Sequence, residues 1–167
     1  MKKLYILCGV AFSGKSTLAK KIAEYKKAVL ISQDVIWFEK KKELNLDLDS
    51  DEDWDNVQQI SKAMVKNVLL KGETVVYDDI GLKYAGRESL RNLAKECGAK
   101  SVLIYLDTPR NVQQERQAKN LNTKERHDVP EHIIGWGLAE LEIPQESEES
   151  FIFSPETNLM DWLNKLP

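Results

Sequence analysis

The tightest constraint on this chain is a glycine-bounded turn. Gly9-Val10-Ala11-Phe12-Ser13-Gly14-Lys15-Ser16-Thr17 follows directly on the apolar run Leu4-Tyr5-Ile6-Leu7-Cys8. The pattern is G-x-x-x-x-G-K-[ST], which carries meaning only between a strand and a helix. Both are predicted. Leu4–Cys8 reads as a short buried strand, and Leu18, Ala19, Ile22, Ala23 and Tyr25 share one face of a following helix. Such a turn directs backbone N–H groups at an anion, and the helix start adds its positive dipole end. In that geometry Lys15 reaches β- and γ-phosphates and the Ser16 hydroxyl takes a place on Mg²⁺. The expectation is a nucleoside triphosphate site, ATP with Mg²⁺, built from Gly9, Ala11, Phe12, Ser13, Gly14, Lys15, Ser16 and Thr17. The plainer alternative is a glycine turn that merely starts a helix.

Downstream, apolar strands alternate with helices. Ala28–Ile31, Thr74–Tyr77, Val102–Leu106 and Phe151–Phe153 read as four more strands. Helices are expected around Trp54–Leu69, before Gly98, from Arg110 to Asn120, after Pro130, and at the C-terminal end with Ser154 as N-cap and Pro155 at N1. Glu39–Asp53, first basic and then acidic, reads as a solvated loop. Strands separated by helices call for a mostly parallel sheet of five strands with helices on both faces, a three-layer α/β architecture. At 167 residues one domain, 1–167, is the simplest division.

Composition excludes rather than identifies. The hydrophobic share of 42% and charged share of 31% are ordinary for a globular chain, and a net charge of −3 offers no general attraction to polynucleotide. No apolar stretch is long enough to span a membrane, and the N-terminal residues read as a strand, not a signal peptide. Cys8 and Cys97, far apart in apolar contexts, fit buried free thiols and a cytoplasmic setting. His127 and His132 lie outside any metal-ligand spacing.

Ligand in such a sheet binds beyond the carboxyl ends of the strands, and two strand ends there are acidic. Asp34 follows the second strand, where a carboxylate facing the γ-phosphate from the acceptor side can take a hydroxyl proton. It could equally cap a helix over Val35–Glu39. Asp78 and Asp79 end the third strand. Neighbours in extended backbone point oppositely, so one of them, read as Asp79, faces the site and can hold Mg²⁺ through water. The polar segment at about 110–128 carries Gln113, Arg116 and Lys119 on one helix side, with Arg126 beyond it. A mobile lid of this kind would bring arginines onto the transferring phosphoryl group; a plain solvated helix is the alternative.

These segments together resemble a family. Gly9–Thr17, Ser32-x-Asp34, Val75–Asp79 with Gly81-Leu82, Leu106-Asp107-x-Pro109, Arg116-x-x-Lys119-Asn120, Arg126-x-x-Val129-Pro130-Glu131 and Leu141-x-x-Pro144 with Glu146 are similar to the small P-loop kinases around the kinase domain of phage polynucleotide kinase. Zeta-toxin and chloramphenicol phosphotransferase belong to the same AAA-type ATP-binding group. The resemblance implies a P-loop NTPase fold with a helical lid, Asp34 as catalytic base, Arg116 and Arg126 as lid and active-site arginines, and Asp79 as the third-strand acid. Three positions depart from it. Lys119 stands for a second lid arginine, Trp37 and Phe38 for an acceptor-phosphate arginine, and Gly81 for an asparagine.

The expected function is an ATP-dependent kinase that phosphorylates a hydroxyl of a small-molecule or nucleotide acceptor. Lys15, Asp34, Arg116 and Arg126 would be its catalytic residues, with Arg116 also on the nucleotide and Ser16 and Asp79 on the metal. A 5′-hydroxyl polynucleotide kinase is the nearest alternative. An ATP-binding regulatory module or acceptor-free ATPase is the alternative of another class; the absence of a guanine-reading N-K-x-D motif argues against a GTPase switch.

Overall fold

A computed structural model describes residues 1–44, 51–124 and 127–167. The elements run β1 (Lys3–Cys8), α1 (Lys15–Lys26), β2 (Val29–Ser32), α2 (Gln33–Leu44), α3 (Asp51–Leu70) and β3 (Val75–Asp78). Then follow α4 (Tyr84–Glu96), β4 (Lys100–Leu106), α5 (Arg110–Thr123), α6 (Glu131–Ala139), a 3₁₀ turn at Glu146–Glu148, β5 (Phe151–Phe153) and α7 (Leu159–Lys165). The five strands lie in the order β2-β3-β1-β4-β5, and every pairing is parallel.

Side-chain alternation divides the core into two layers. Leu4, Ile6 and Cys8 of β1, with Val75 and Tyr77 of β3, pack on one face against Val65 and Leu69 of α3 and Leu90 and Ala94 of α4. Tyr5, Leu7, Val76 and Ile104 point the other way onto Leu18, Ala19 and Ile22 of α1 and Trp162, Leu163 and Leu166 of α7. Strands buried on both faces are what the unbroken apolar runs require. Because β1 sits at the centre of the sheet, the loop after it opens at the middle of the carboxyl edge, flanked by the ends of β3 and β4. Cys8 and Cys97 are both free and buried. No described helix is long and apolar enough to cross a membrane.

Two expectations are corrected. The basic half of the supposed loop at 39–53 is helical: α2 continues to Leu44, and α3 begins at Asp51; residues 45–50 lie outside the described residues. Lysine and glutamate are good helix formers, Lys40 and Glu43 pair at 3.0 Å one turn apart, and Trp37 stacks on Trp54 at 4.1 Å with the rings 2° from parallel, which ties α2 to α3. The last helix does not begin at Ser154-Pro155. Ser154–Thr157 close a turn, with the Thr157 amide donating to the Ser154 carbonyl at 3.1 Å, and Asn158 is the cap, its side chain accepting from the Asp161 amide at 3.1 Å.

The caps can be told apart by stability. Asn158→Ala should cost about 1 kcal/mol, the usual loss of an N-cap, whereas Ser154→Ala should cost less. Urea denaturation of both variants checks this, and a larger loss at Ser154 would contradict the assignment.

Candidate active site

The loop between β1 and α1 has the conformation its glycines permit. Gly14, the residue before α1, has φ +99° and closes the turn in the left-handed region, where an L side chain is strained. A Cβ there would also stand 3.1 Å from Nη1 of Arg116. Phe12 is held at φ +60° with its ring buried. Lys15 Nζ donates back to the Val10 carbonyl at 3.0 Å. The Ser13 hydroxyl is buried and has no hydrogen-bond partner among the described residues, an orphan that an oxyanion in the loop would satisfy.

α5 rests its polar face on this loop. Arg116 Nη1 donates to the carbonyls of Phe12 (3.2 Å) and Ser13 (2.7 Å), while Thr108 Oγ1 donates to the same Ser13 carbonyl at 2.9 Å. Gln113, expected beside Arg116, is instead buried, and its Nε2 donates to the Thr108 carbonyl at 2.7 Å, fixing the start of α5. The end of α5 is tied down by Asp128, which accepts from Asn120 (3.1 Å) and Lys124 (2.6 Å). Arg126 lies outside the described residues.

The turn after β3 brings in the acids. Asp78 is the last strand residue, buried and level with Ser32 of β2. Asp79 accepts from the amide of Ile80 at 2.6 Å. Burial lifts its carboxyl to about 6; the nearby Lys15 ammonium works against that shift, while Asp78 and Asp34 add to it. Asp79 therefore shares an electrostatic neighbourhood with both Lys15 and Asp34. The next two residues lock the turn to the loop: Gly9 N donates to the Ile80 carbonyl at 3.2 Å, and Gly81, at φ +59°, lies so close that a Cβ would be 2.5 Å from the Leu7 carbonyl oxygen. That contact is the physical reason for glycine where the family resemblance expects asparagine.

Asp34 is the second residue of α2, exposed in its first turn, so it complements the helix dipole and is not the cap. Beneath it a buried polar cluster fixes the helix start. Gln33 Nε2 donates to the Tyr77 hydroxyl at 2.7 Å, and Tyr77 and Ser61 share a hydrogen bond of 2.7 Å. Burial raises the Tyr77 phenol above its ordinary value, so it remains a neutral partner. One turn beyond Asp34, Phe38 stacks on His127 with ring centres 3.6 Å apart and planes 20° from parallel. The α2 face that carries Asp34 is thus joined to the segment after α5.

A second feature was missed in the sequence. Arg87 of α4 is 1% exposed. Its Nε and Nη2 meet the two carboxylate oxygens of Glu148 at 2.8 and 2.7 Å, and its Nη1 donates to the carbonyls of Gly81 (3.0 Å) and Leu82 (2.8 Å). Arg91 adds a contact to Glu148 at 3.0 Å. The only sequence signal was a charged residue on the inward stripe with Leu90 and Ala94. Of the expected site residues, the structure sets Lys15 and Arg116 on the loop and Asp79 in the turn joined to it, Asp34 at the start of α2 within electrostatic reach of Asp79, and Ser16 in the first turn of α1.

The AAA domain family matches residues 4–144, and the chain belongs to that family. It is 27% identical over 160 residues to the L-seryl-tRNA(Sec) kinase of Methanococcus maripaludis, covering 84% of this chain and 58% of that protein. Its identity to the adenylyl-sulfate kinase of Saccharomyces cerevisiae is 28% over 139 residues, covering 77% of this chain and 65% of that one. The chain spans about three fifths of the length of these curated relatives. The P-loop fold is shared with the crystal structure of a gluconokinase from Sinorhizobium meliloti 1021, at TM-score 0.67 and 22% identity over 98% of this chain and 89% of that chain.

Glu148 makes the fold acid-sensitive. Its hydrogen bonds from Arg87 hold the carboxyl down to about 2, below an ordinary value of 4.5. A folded-state value lower than the unfolded one gives stability that is full above about 4.5 and lost as the pH falls toward 2, on the order of 3 kcal/mol in all. Melting curves from pH 6 to pH 2.5 should fall steeply for the native chain. Glu148→Gln should be less stable at neutral pH and flatter through this window; an unchanged slope would contradict the assignment.

Proposed function

We propose that this chain is an ATP- and Mg²⁺-dependent kinase, a single domain over 1–167, that transfers the γ-phosphate to a hydroxyl of a small-molecule or nucleotide acceptor. The observation that supports it most is the common neighbourhood of Lys15, Asp79 and Asp34 at the mouth of a loop crossed by Arg116. A nucleotide-binding module alone would have no use for an exposed Asp34 beside Asp79. Kinase relatives agree with the reading.

The residues fit ATP. The loop offers backbone amides, an orphan buried hydroxyl on Ser13 and two cations resting on carbonyls, which an anion would draw inward. Among the described residues no group of three or more His, Cys, Asp or Glu is arranged to hold a metal. Mg²⁺ would accordingly be shared between the Ser16 hydroxyl, Asp79 through water, and phosphate oxygens, the partial protein ligation this ion favours. When bound, it would neutralise charge on the phosphates and hold Asp79 ionised.

In the transfer, the acceptor oxygen forms a bond to the γ-phosphorus as the bond to the β,γ-bridging oxygen breaks, and ADP departs. Asp34 accepts the hydroxyl proton. Lys15 and Arg116, together with Arg126, stabilise the charge that spreads over the transferred group and the leaving oxygen, and α5 with the segment after it excludes water as a lid. The acceptor side favours a small molecule over an open polynucleotide track, because the Phe38–His127 stack closes α2 against the post-lid segment one turn from Asp34.

Labelled ATP offered with nucleosides, sugars, antibiotics and 5′-hydroxyl oligonucleotides tests the reading. Asp34→Asn should retain Mg·ATP binding and lose transfer by about 10²- to 10⁴-fold, the usual contribution of a general base. Lys15→Ala should lose both. Transfer by Asp34→Asn at the native rate would remove Asp34 from its role. Phe38→Ala should raise the KM for a small acceptor while leaving that for ATP unchanged.

A further inference from the structure

Arg87 takes no part in the chemistry proposed above, yet it is among the most completely buried large side chains of the protein. Stability alone is a poor reason for it. Burying an arginine–carboxylate pair costs about as much in desolvation as the pairing returns, and apolar replacements are often neutral or better. The arrangement contains more than the pair. The bidentate contact with Glu148 uses Nε and Nη2, leaving Nη1 to gather two successive carbonyls, Gly81 and Leu82. Those carbonyls belong to the turn that carries Asp79.

The same turn grips the phosphate loop from its other side. Ile80 accepts from the amide of Gly9, the first loop residue, and Gly81 is pressed on Leu7. Arg87 Nη1 also stands 3.9 Å from Sγ of Cys8, which leads into the loop. One guanidinium therefore braces the junction at which the two halves of the site meet. Its orientation is set from a distance. Glu148 is delivered by the 3₁₀ turn between α6 and β5, and there it also accepts from its own cap residue, Gln145 N, at 3.2 Å.

We propose that Arg87 is a positioning residue: by clamping the Gly81 and Leu82 carbonyls it fixes the Asp79 turn against the start of the phosphate loop, so that Asp79 stands where the Mg²⁺ of the nucleotide needs it. This rests on the kinase reading above, and it makes the Glu146–Glu148 turn, far away in sequence, part of the support of the site.

Calorimetric titration of ATP with and without Mg²⁺ tests it, on the native chain, on Arg87→Lys, which keeps the charge and loses the fork, and on the double variant R87M/E148L, which leaves no unpaired charge from the pair. The native chain should bind ATP more tightly with Mg²⁺ present. Both variants should melt cooperatively and keep Mg²⁺-free ATP affinity, while the gain from Mg²⁺ falls by about 10- to 100-fold, as for loss of an outer-shell partner of a metal ligand. In steady-state transfer to an acceptor that the screen above identifies, kcat should fall with the acceptor KM unchanged. A folded variant of either kind that keeps the full Mg²⁺ gain overturns the proposal and leaves Arg87 a fold residue only; if the double variant does not fold, Arg87→Lys decides. Failure of the native chain to bind ATP at all would instead overturn the kinase reading, and this inference with it.

Discussion

The candidate site depends on one close backbone approach, that of the turn after β3 to the end of β1. Parallel pairing brings Tyr77 level with Ile6, and from there the two chains run side by side into the crevice. Gly81 crosses so near to the Leu7 carbonyl that no side chain could fit, and the Gly9 amide closes the junction onto Ile80. Sheet register alone would place the two strand ends as neighbours. This contact turns neighbours into a single unit, so the phosphate loop and the Asp79 turn cannot drift independently. The demand on the sequence is small, one glycine with positive φ, but nothing bulkier meets it.

Electrostatics in the loop follow from that geometry. Lys15 and Arg116 both rest on loop carbonyls, Val10 for one and Phe12 and Ser13 for the other. A neutral carbonyl is a weaker partner for a cation than a phosphate oxygen. Asp79 is the counterpart on the acid side. Its carboxyl is raised to about 6 by burial and by Asp78 and Asp34, so neutral pH leaves it charged at a cost. Lys15 and Arg116 on the loop carbonyls, with Asp79 near Lys15, thus place charges of both signs around the loop.

Sequence reading reached those parts whose physics is local. The phosphate loop, the alternation of strands and helices, and the acids at strand ends are each set by residues within a few positions of one another. They stand where expected, with strand limits off by a residue or two. What escaped was set by contacts between distant segments. Arg87 and Glu148 are 61 positions apart, and neither has a neighbour in sequence that betrays the pair. Nor could periodicity reveal that Lys40–Leu44 stay helical. The lysines and glutamate there are good helix formers, and the Trp37–Trp54 stack adds a tertiary tie between α2 and α3. The misplaced start of α7 has a different cause: Ser-Pro is a sound helix opening in isolation, but Thr157 draws Ser154 into a turn first.

The same division explains why the phosphate donor was legible and the acceptor was not. Backbone amides recognise phosphate, and a backbone turn needs only glycines at fixed spacing, so one short motif announces it. An acceptor is recognised by side chains brought together from separate elements. On the kinase reading proposed above, the candidates are Asp34 and Phe38 on α2 and His127 beyond α5. The α2 residues have no fixed spacing to His127, and Phe38 meets it only when α2 and the segment after α5 come together. A chain can thus keep its donor chemistry through the loop and the Asp79 turn while its acceptor changes with a few aromatic substitutions on α2. Of the three departures from the family pattern, the one at Trp37 and Phe38 lies there, on α2 and apart from the junction in which Gly81 meets Leu7.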